Sequence, residues 1–182
     1  KHISAYSLIV EEGTPFYEMD LNLPDEETDR KMYHSAIKYL ADKGYRQYEI
    51  SNFAHPGYES IHNTVYWQRG NYKGFGLGAA SLIDKKKKKN TEDINDYIRG
   101  ITITEEEVLS QEDAMAEFMF LGLRMTEGVS LSRFSKEFGI DPLKKYKSVI
   151  NKYSDYIIIN GDRLYLTTEG LDISNMIFTD ML

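Results

Sequence analysis

The run Ile3-Ser4-Ala5-Tyr6-Ser7-Leu8-Ile9-Val10 is short and apolar, and Glu11-Glu12-Gly13-Thr14-Pro15 ends it. A run of this kind predicts a strand buried on both faces, as in a parallel sheet. Pro24-Asp25 then leads into a helix on which Met32, Ala36 and Leu40 recur at i, i+4 and i+8, with Tyr33 and Ile37 beside them. Gly44 is placed to cap that helix at its C-terminus, and a second strand follows at about residues 45–50. Strand, helix, strand is a βαβ unit, so the expected architecture is α/β with a parallel sheet.

Residues 52–83 keep no period and are rich in Gly, Asn, His and aromatic residues. A long non-repetitive stretch inside a domain is where function concentrates. The five lysines of Lys85–Lys89 read as a solvated or mobile loop. From about residue 105 the pattern turns helical. Ser110-Gln111-Glu112-Asp113 has the form of a capping box, with Met115, Phe118, Met119 and Leu123 on one face of the helix behind it. Leu131, Phe134 and Phe138 mark a short helix ending at Gly139; Asp141-Pro142 opens another carrying Leu143, Tyr146 and Ile150. Residues 156–159 and 164–166 flank Asn160-Gly161 and predict a hairpin on a type I′ turn, before a last helix from Thr168-Glu169-Gly170-Leu171. Three helices, a hairpin and a helix make a small winged-helix-like α+β domain at 105–182, behind an α/β part at 1–104.

A chain of 182 residues, 41% hydrophobic and with 14 tyrosines, can fill one large core or two small ones. No apolar run approaches the roughly 20 residues that cross a bilayer, and no signal segment opens the chain. The expected compartment is the cytoplasm. The absence of cysteine excludes disulfides, thiolate metal sites and an iron–sulfur cluster held by this chain itself. Opening at Lys1-His2-Ile3, without methionine and directly on a strand-like run, the sequence reads as a piece of something longer. The net charge of −7 is uneven: residues 105–182 carry 14 acids against 8 bases. Such a balance gives little help to nucleic-acid binding, although Lys144, Lys145, Lys147 and Lys152 fall where a winged helix would place a recognition helix.

Two motifs carry candidate chemistry. In His62-Asn63-Thr64-Val65-Tyr66-Trp67, preceded by Tyr48-Glu49-Ile50-Ser51-Asn52-Phe53-Ala54 and His55-Pro56-Gly57, an imidazole that can ligate haem iron stands among rings that can cover a porphyrin. Taken alone, a histidine beside a tryptophan is more often structural than a ligand. In Gly74-Phe75-Gly76-Leu77-Gly78-Ala79-Ala80-Ser81, closely spaced glycines admit a ligand close to the backbone, or simply make a tight turn. The segment is neither a Rossmann fingerprint nor a P-loop.

These runs, with His2–Tyr6, Glu11–Phe16, Tyr72–Ala79, Glu117–Arg124, Gly128-Val129-Ser130, Leu166–Gly170 and Ser174-Asn175, resemble in order the radical-SAM oxygen-independent coproporphyrinogen III oxidase-like family, and in particular its haem-chaperone branch. The resemblance implies the C-terminal strands and helices of a partial radical-SAM (β/α) barrel followed by the family's C-terminal winged-helix-like domain. It implies a [4Fe-4S] cluster and S-adenosylmethionine in the whole protein, with the cluster's cysteines in an N-terminal barrel part outside this chain. No catalytic residue is then expected here, and the enzymatic status of the chain stays open. The resemblance further implies haem or porphyrinogen as ligand and a haem-acceptor protein as partner. His62 becomes the expected haem-iron ligand, with Asn63, Tyr66 and Trp67 around the haem, while Ile9, Gly76, Gly78 and Ala80 are expected near S-adenosylmethionine. The alternative from another class is a nucleic-acid-binding winged helix.

Overall fold

In the computed structural model, which describes residues 1–182 apart from the Thr104 side chain, the chain forms two units, Lys1–Glu59 and Ser60–Leu182. The first contains β1 (His2–Ser4), α1 (Glu26–Asp42), β2 (Arg46–Glu49) and β3 (Asn52–Ala54). Asp25 caps α1 by accepting from the Thr28 N–H at 2.7 Å, and three acids in the first turn face the positive end of the helix dipole. Gly44, at φ +83°, ends it.

The strand expected over residues 3–10 is only three residues long, and Leu8 and Ile9 are exposed. The expected parallel ladder is also corrected. β1 and β2 do run in the same direction, but β3 lies between them and is antiparallel to both. The chain doubles back at Ile50-Ser51, where the Glu49 carboxylate accepts from the Ser51 N–H at 3.0 Å, and this turn delivers Asn52–Ala54 into the central position. Asn52 also donates to Glu49 and accepts from the Ser4 hydroxyl at 2.5 Å, so one buried carboxylate and one buried amide tie the three strands together.

The second unit opens with α2 (Ile61–Trp67), followed by β4 (Ala80–Ile83), β5 (Lys86–Asn90), α3 (Ile94–Ile98) and β6 (Ile103–Val108). The lysine run is not a loop. Asp84 and Lys85 take φ +50° and +68° as the two central residues of a tight hairpin turn, and the other four lysines form the middle strand of the sheet β4-β5-β6. Lysine is a poor strand former, but Lys87, Lys88 and Lys89 face Glu107, Glu106 and Glu105 across the ladder. Cross-strand pairs of opposite charge supply what propensity withholds. The expected boundary at 104/105 falls inside β6.

The remaining elements are α4 (Gln111–Gly122), β7 (Val129–Ser130), α5 (Leu131–Phe138), α6 (Pro142–Lys145), α7 (Lys147–Lys152), β8 (Ile157–Asn160), β9 (Arg163–Leu166), α8 (Thr168–Asp172) and α9 (Ser174–Thr179). Helices and a β7-β9-β8 sheet in this order have the expected winged-helix-like arrangement. Ser110 caps α4 as expected, its Oγ accepting from the Asp113 N–H at 3.1 Å, but that hydroxyl donates to the Asp113 carboxylate at 2.6 Å in place of the reciprocal backbone bond of a full capping box. The β8–β9 turn differs from expectation: its central residues are Gly161-Asp162, and only Gly161 has positive φ, as in type II′ rather than I′. The core is made by Met115, Met119, Leu123, Phe134, Leu164 and Ile177, all fully buried. Each contributes roughly 1.5–3 kcal/mol of transfer free energy. Phe134 meets Phe118 and Phe138 at ring-centroid distances of 5.3 and 4.8 Å, which fixes α5 against α4.

Candidate functional site on the α2 helix

Ser60 caps α2 by accepting from the Asn63 N–H at 3.2 Å, and the helical spacing then sorts the motif onto two faces. His62 and Tyr66 share one, Asn63 and Trp67 the other. The Tyr66 ring stands edge-on to His62 at 4.8 Å and tilted against Tyr72 at 4.3 Å. Burial pushes the Tyr72 phenol above its ordinary pKa, with Tyr66 adding to the rise, so Tyr72 stays a neutral hydroxyl at physiological pH. Among these groups it is the imidazole that offers a lone pair to a metal.

The histidines divide by environment. His2 bonds the Tyr48 hydroxyl at 2.9 Å, and His55 holds the Gly44 carbonyl at 2.9 Å while packing on Tyr45. His62 is exposed, and its ring nitrogens have no hydrogen-bond partner among the described residues. A structural histidine would be engaged as the first two are. Trp67 lies under the Arg124 guanidinium, 4.5 Å from the ring centroid, and its buried N–H finds no partner among the described residues.

What holds α2 in place lies just beyond the motif. Arg69 adopts φ +55° and turns its nearly buried side chain onto two carboxylates, Glu117 of α4 at 3.4 Å and Glu137 of α5 at 2.7 Å. Lys87 of β5 pairs with the other oxygen of Glu117. This buried network fastens the end of α2 to two helices and a strand. Periodicity could not reveal it, because its members lie 48 and 68 positions apart.

The expected S-adenosylmethionine residues fall in two places. Ile9 is exposed in the first unit. Gly76 and Gly78 lie on the loop entering β4 of the second unit, at φ +96° and +64°, and Ala80 is the first residue of that strand. That loop is a held turn: Asn90 donates to the Gly76 carbonyl at 2.8 Å, and Ser81 accepts from the Gly74 N–H at 3.0 Å. Gly74 is required because a Cβ there would overlap the Ala80 carbonyl.

Of the four lysines of the third winged-helix segment, two are tied up in ion pairs, while Lys144 and Lys147 are exposed. Lys145 pairs with Glu112 and Lys152 with Asp180. Among the described residues no group of three or more His, Asp or Glu side chains could hold a metal ion, and no helix is long and apolar enough to cross a membrane.

Comparison with known proteins brings the geometry together. Residues 109–173 match the family described as the HemN C-terminal domain. Over 100% of its length the chain is 34% identical to a protein named heme chaperone HemW from Lactococcus lactis, covering 50% of that protein. To the Bacillus subtilis protein of the same name it is 36% identical over 98% of its length, again covering 50% of the relative. The chain thus spans about half the length of the curated relatives it matches. Its fold is similar to that of the radical-SAM enzyme coproporphyrinogen III oxidase (HemN) from Escherichia coli, with a TM-score of 0.69 at 14% identity, over 90% of this chain and 43% of that one.

Proposed function

We propose, since this chain belongs to the oxygen-independent coproporphyrinogen III oxidase-like family, that it is the haem-binding portion of a protein that carries haem to an acceptor. The observation that carries this reading is His62: an exposed imidazole with unengaged ring nitrogens at the start of a helix, set edge-on against Tyr66, which in turn tilts against Tyr72. Those features fit haem. His62 ligates the iron through a neutral ring nitrogen, Tyr66 and Tyr72 offer apolar ring surface to the macrocycle, and the Arg69 network holds the helix that presents them. Asn63 and Trp67 flank this face.

In this reading the loop of Gly76 and Gly78, with the start of β4 at Ala80, would hold S-adenosylmethionine, since the missing Cβ of Gly76 leaves the backbone open there. The [4Fe-4S] cluster of the family does not fit the residues present. The chain has no cysteine, so no step of radical chemistry is assigned to it.

The test is a haem titration of the chain followed at the Soret band, beside His62→Ala. The expected outcome is a shifted band for the unchanged chain, with at least tenfold weaker binding and loss of the shift in the variant. An identical spectrum and affinity would remove His62 as ligand.

A further inference from the structure

A cavity of about 250 Å³ opens within the second unit behind Trp67, on the α2 face away from His62. Its apolar wall includes Phe118, Met125 and Val129, and its polar lining includes the Trp67 indole, Arg133 and Arg163. We propose that this cavity is a carboxylate-binding subsite, which takes a carboxylate carried on a short apolar arm. As to where that arm comes from, the inference rests on the haem reading: a porphyrin propionate is one source and a free small carboxylate the other.

Size gives the first argument. Pockets that enclose drug-sized ligands run to about 300–1,000 Å³, so this one admits a side arm and not a macrocycle. The second argument is the inventory of donors. Arg133 is held in place by one bond, its Nη2 donating to the Gln68 carbonyl at 2.6 Å, and by the Phe118 face at 5.1 Å from the ring centroid. No carboxylate lies on Arg133 among the described residues, so the rest of its fork is available. Arg163 meets Glu127 only at 3.7 Å, beyond hydrogen-bond reach. The Trp67 N–H is buried and unpartnered among the described residues, a condition that costs free energy until an acceptor arrives. Two guanidinium groups and one N–H ask for an acceptor with several lone pairs and a negative charge, and a carboxylate supplies both.

Glu127 and Ser130 also line the cavity, but neither answers that demand. Ser130 Oγ already donates to Asp162 at 2.6 Å and accepts from the Arg133 N–H at 3.1 Å. With two arginines against one glutamate, the cavity keeps a local positive excess on a chain whose net charge is −7. His62 and Trp67 lie five residues apart, about 7.5 Å along the helix and about 140° round it. With the iron at His62, the radius of the ring and the propionate arm together would bridge that separation.

Trp67 is the chain's only tryptophan, so its emission reports on this cavity directly. The experiment compares haem with haem dimethyl ester, and titrates sodium propionate against sodium chloride at constant ionic strength while Trp67 fluorescence is read. Each is repeated with Arg133→Gln and with Arg163→Gln, whose folding is checked by circular dichroism. If the propionate arm is the occupant, the ester binds about ten- to a hundredfold more weakly than haem, and the variants erase that difference. If a free carboxylate is the occupant, haem and ester bind alike, but propionate changes Trp67 emission saturably and the arginine variants abolish the change. Equal haem and ester affinities together with no saturable response to propionate overturn the subsite. Failure of haem to bind at all, with the propionate response intact, sinks the haem reading and leaves the subsite standing.

Discussion

Replacing Arg69 with methionine tests whether the buried charge network holds α2. The Arg69 side chain is 5% exposed, Glu117 10% and Glu137 27%. Methionine keeps the length of the stem and, like arginine, has a Cβ at φ +55°, so backbone strain cancels in the comparison. Removing one partner of a buried ion pair typically costs about 3–5 kcal/mol, because the other charge is left uncompensated. Here the cost falls below that range. Lys87 still pairs with Glu117, and Glu137 is exposed enough to regain water. The expected loss is about 2–3 kcal/mol, which at the urea dependence of a small domain lowers the midpoint by about 1–2 M. Trp67, two residues away and the only tryptophan, reports the transition by fluorescence. A midpoint within about 0.3 M of the unchanged chain would refute the reasoning.

Gly128→Ala is expected to unfold the second unit or cost more than about 3 kcal/mol, measured by thermal denaturation, because Gly128 sits at φ +65° and a Cβ would overlap the Leu164 carbonyl. Asp162 is held below its ordinary pKa by the Ser130 hydroxyl first and then by the Ser132 N–H and hydroxyl. Its lowered pKa contributes stability that is fully present above about pH 4 and is lost as pH falls through the lowered value. Denaturant midpoints measured between about pH 5 and pH 2 should therefore fall more steeply for the unchanged chain than for Asp162→Asn.

The sequence displays what periodicity and caps encode. The Asp25 start of α1, the Ser110 cap, the Leu131–Phe138 helix with its Gly139 stop, and Asp141-Pro142 all stand where local rules place them. What escaped depends on partners distant in the chain. Seven residues are too few to show a helical period, so α2 was hidden in an irregular stretch, although Ser60 was there as its cap. Lys86–Lys89 becomes a strand only because three glutamates arrive opposite it some 20 residues later. β1 stops at Ser4 opposite Asn52, where β3 begins, and a single further bond, from the Ala5 N–H to the Ser51 carbonyl at 2.9 Å, closes the pairing at the chain reversal. Of the site, the residue types were legible. The division of His62 and Trp67 onto different faces of α2, and the unsatisfied indole, needed coordinates.

The lysine–glutamate ladder gives the second unit two kinds of cohesion with opposite responses to the medium. The phenylalanine-rich helices are held by exclusion of water, which dissolved sulfate or phosphate strengthens. β5 and β6 are held in part by attraction between exposed charges, which the same ions screen over about 10 Å at 0.1 M. Raising ionic strength therefore tightens one half of this unit while loosening the other. Amide exchange in Lys86–Asn90 would quicken with added salt as exchange in α4 slows, and the sheet would become the first part of the unit to open.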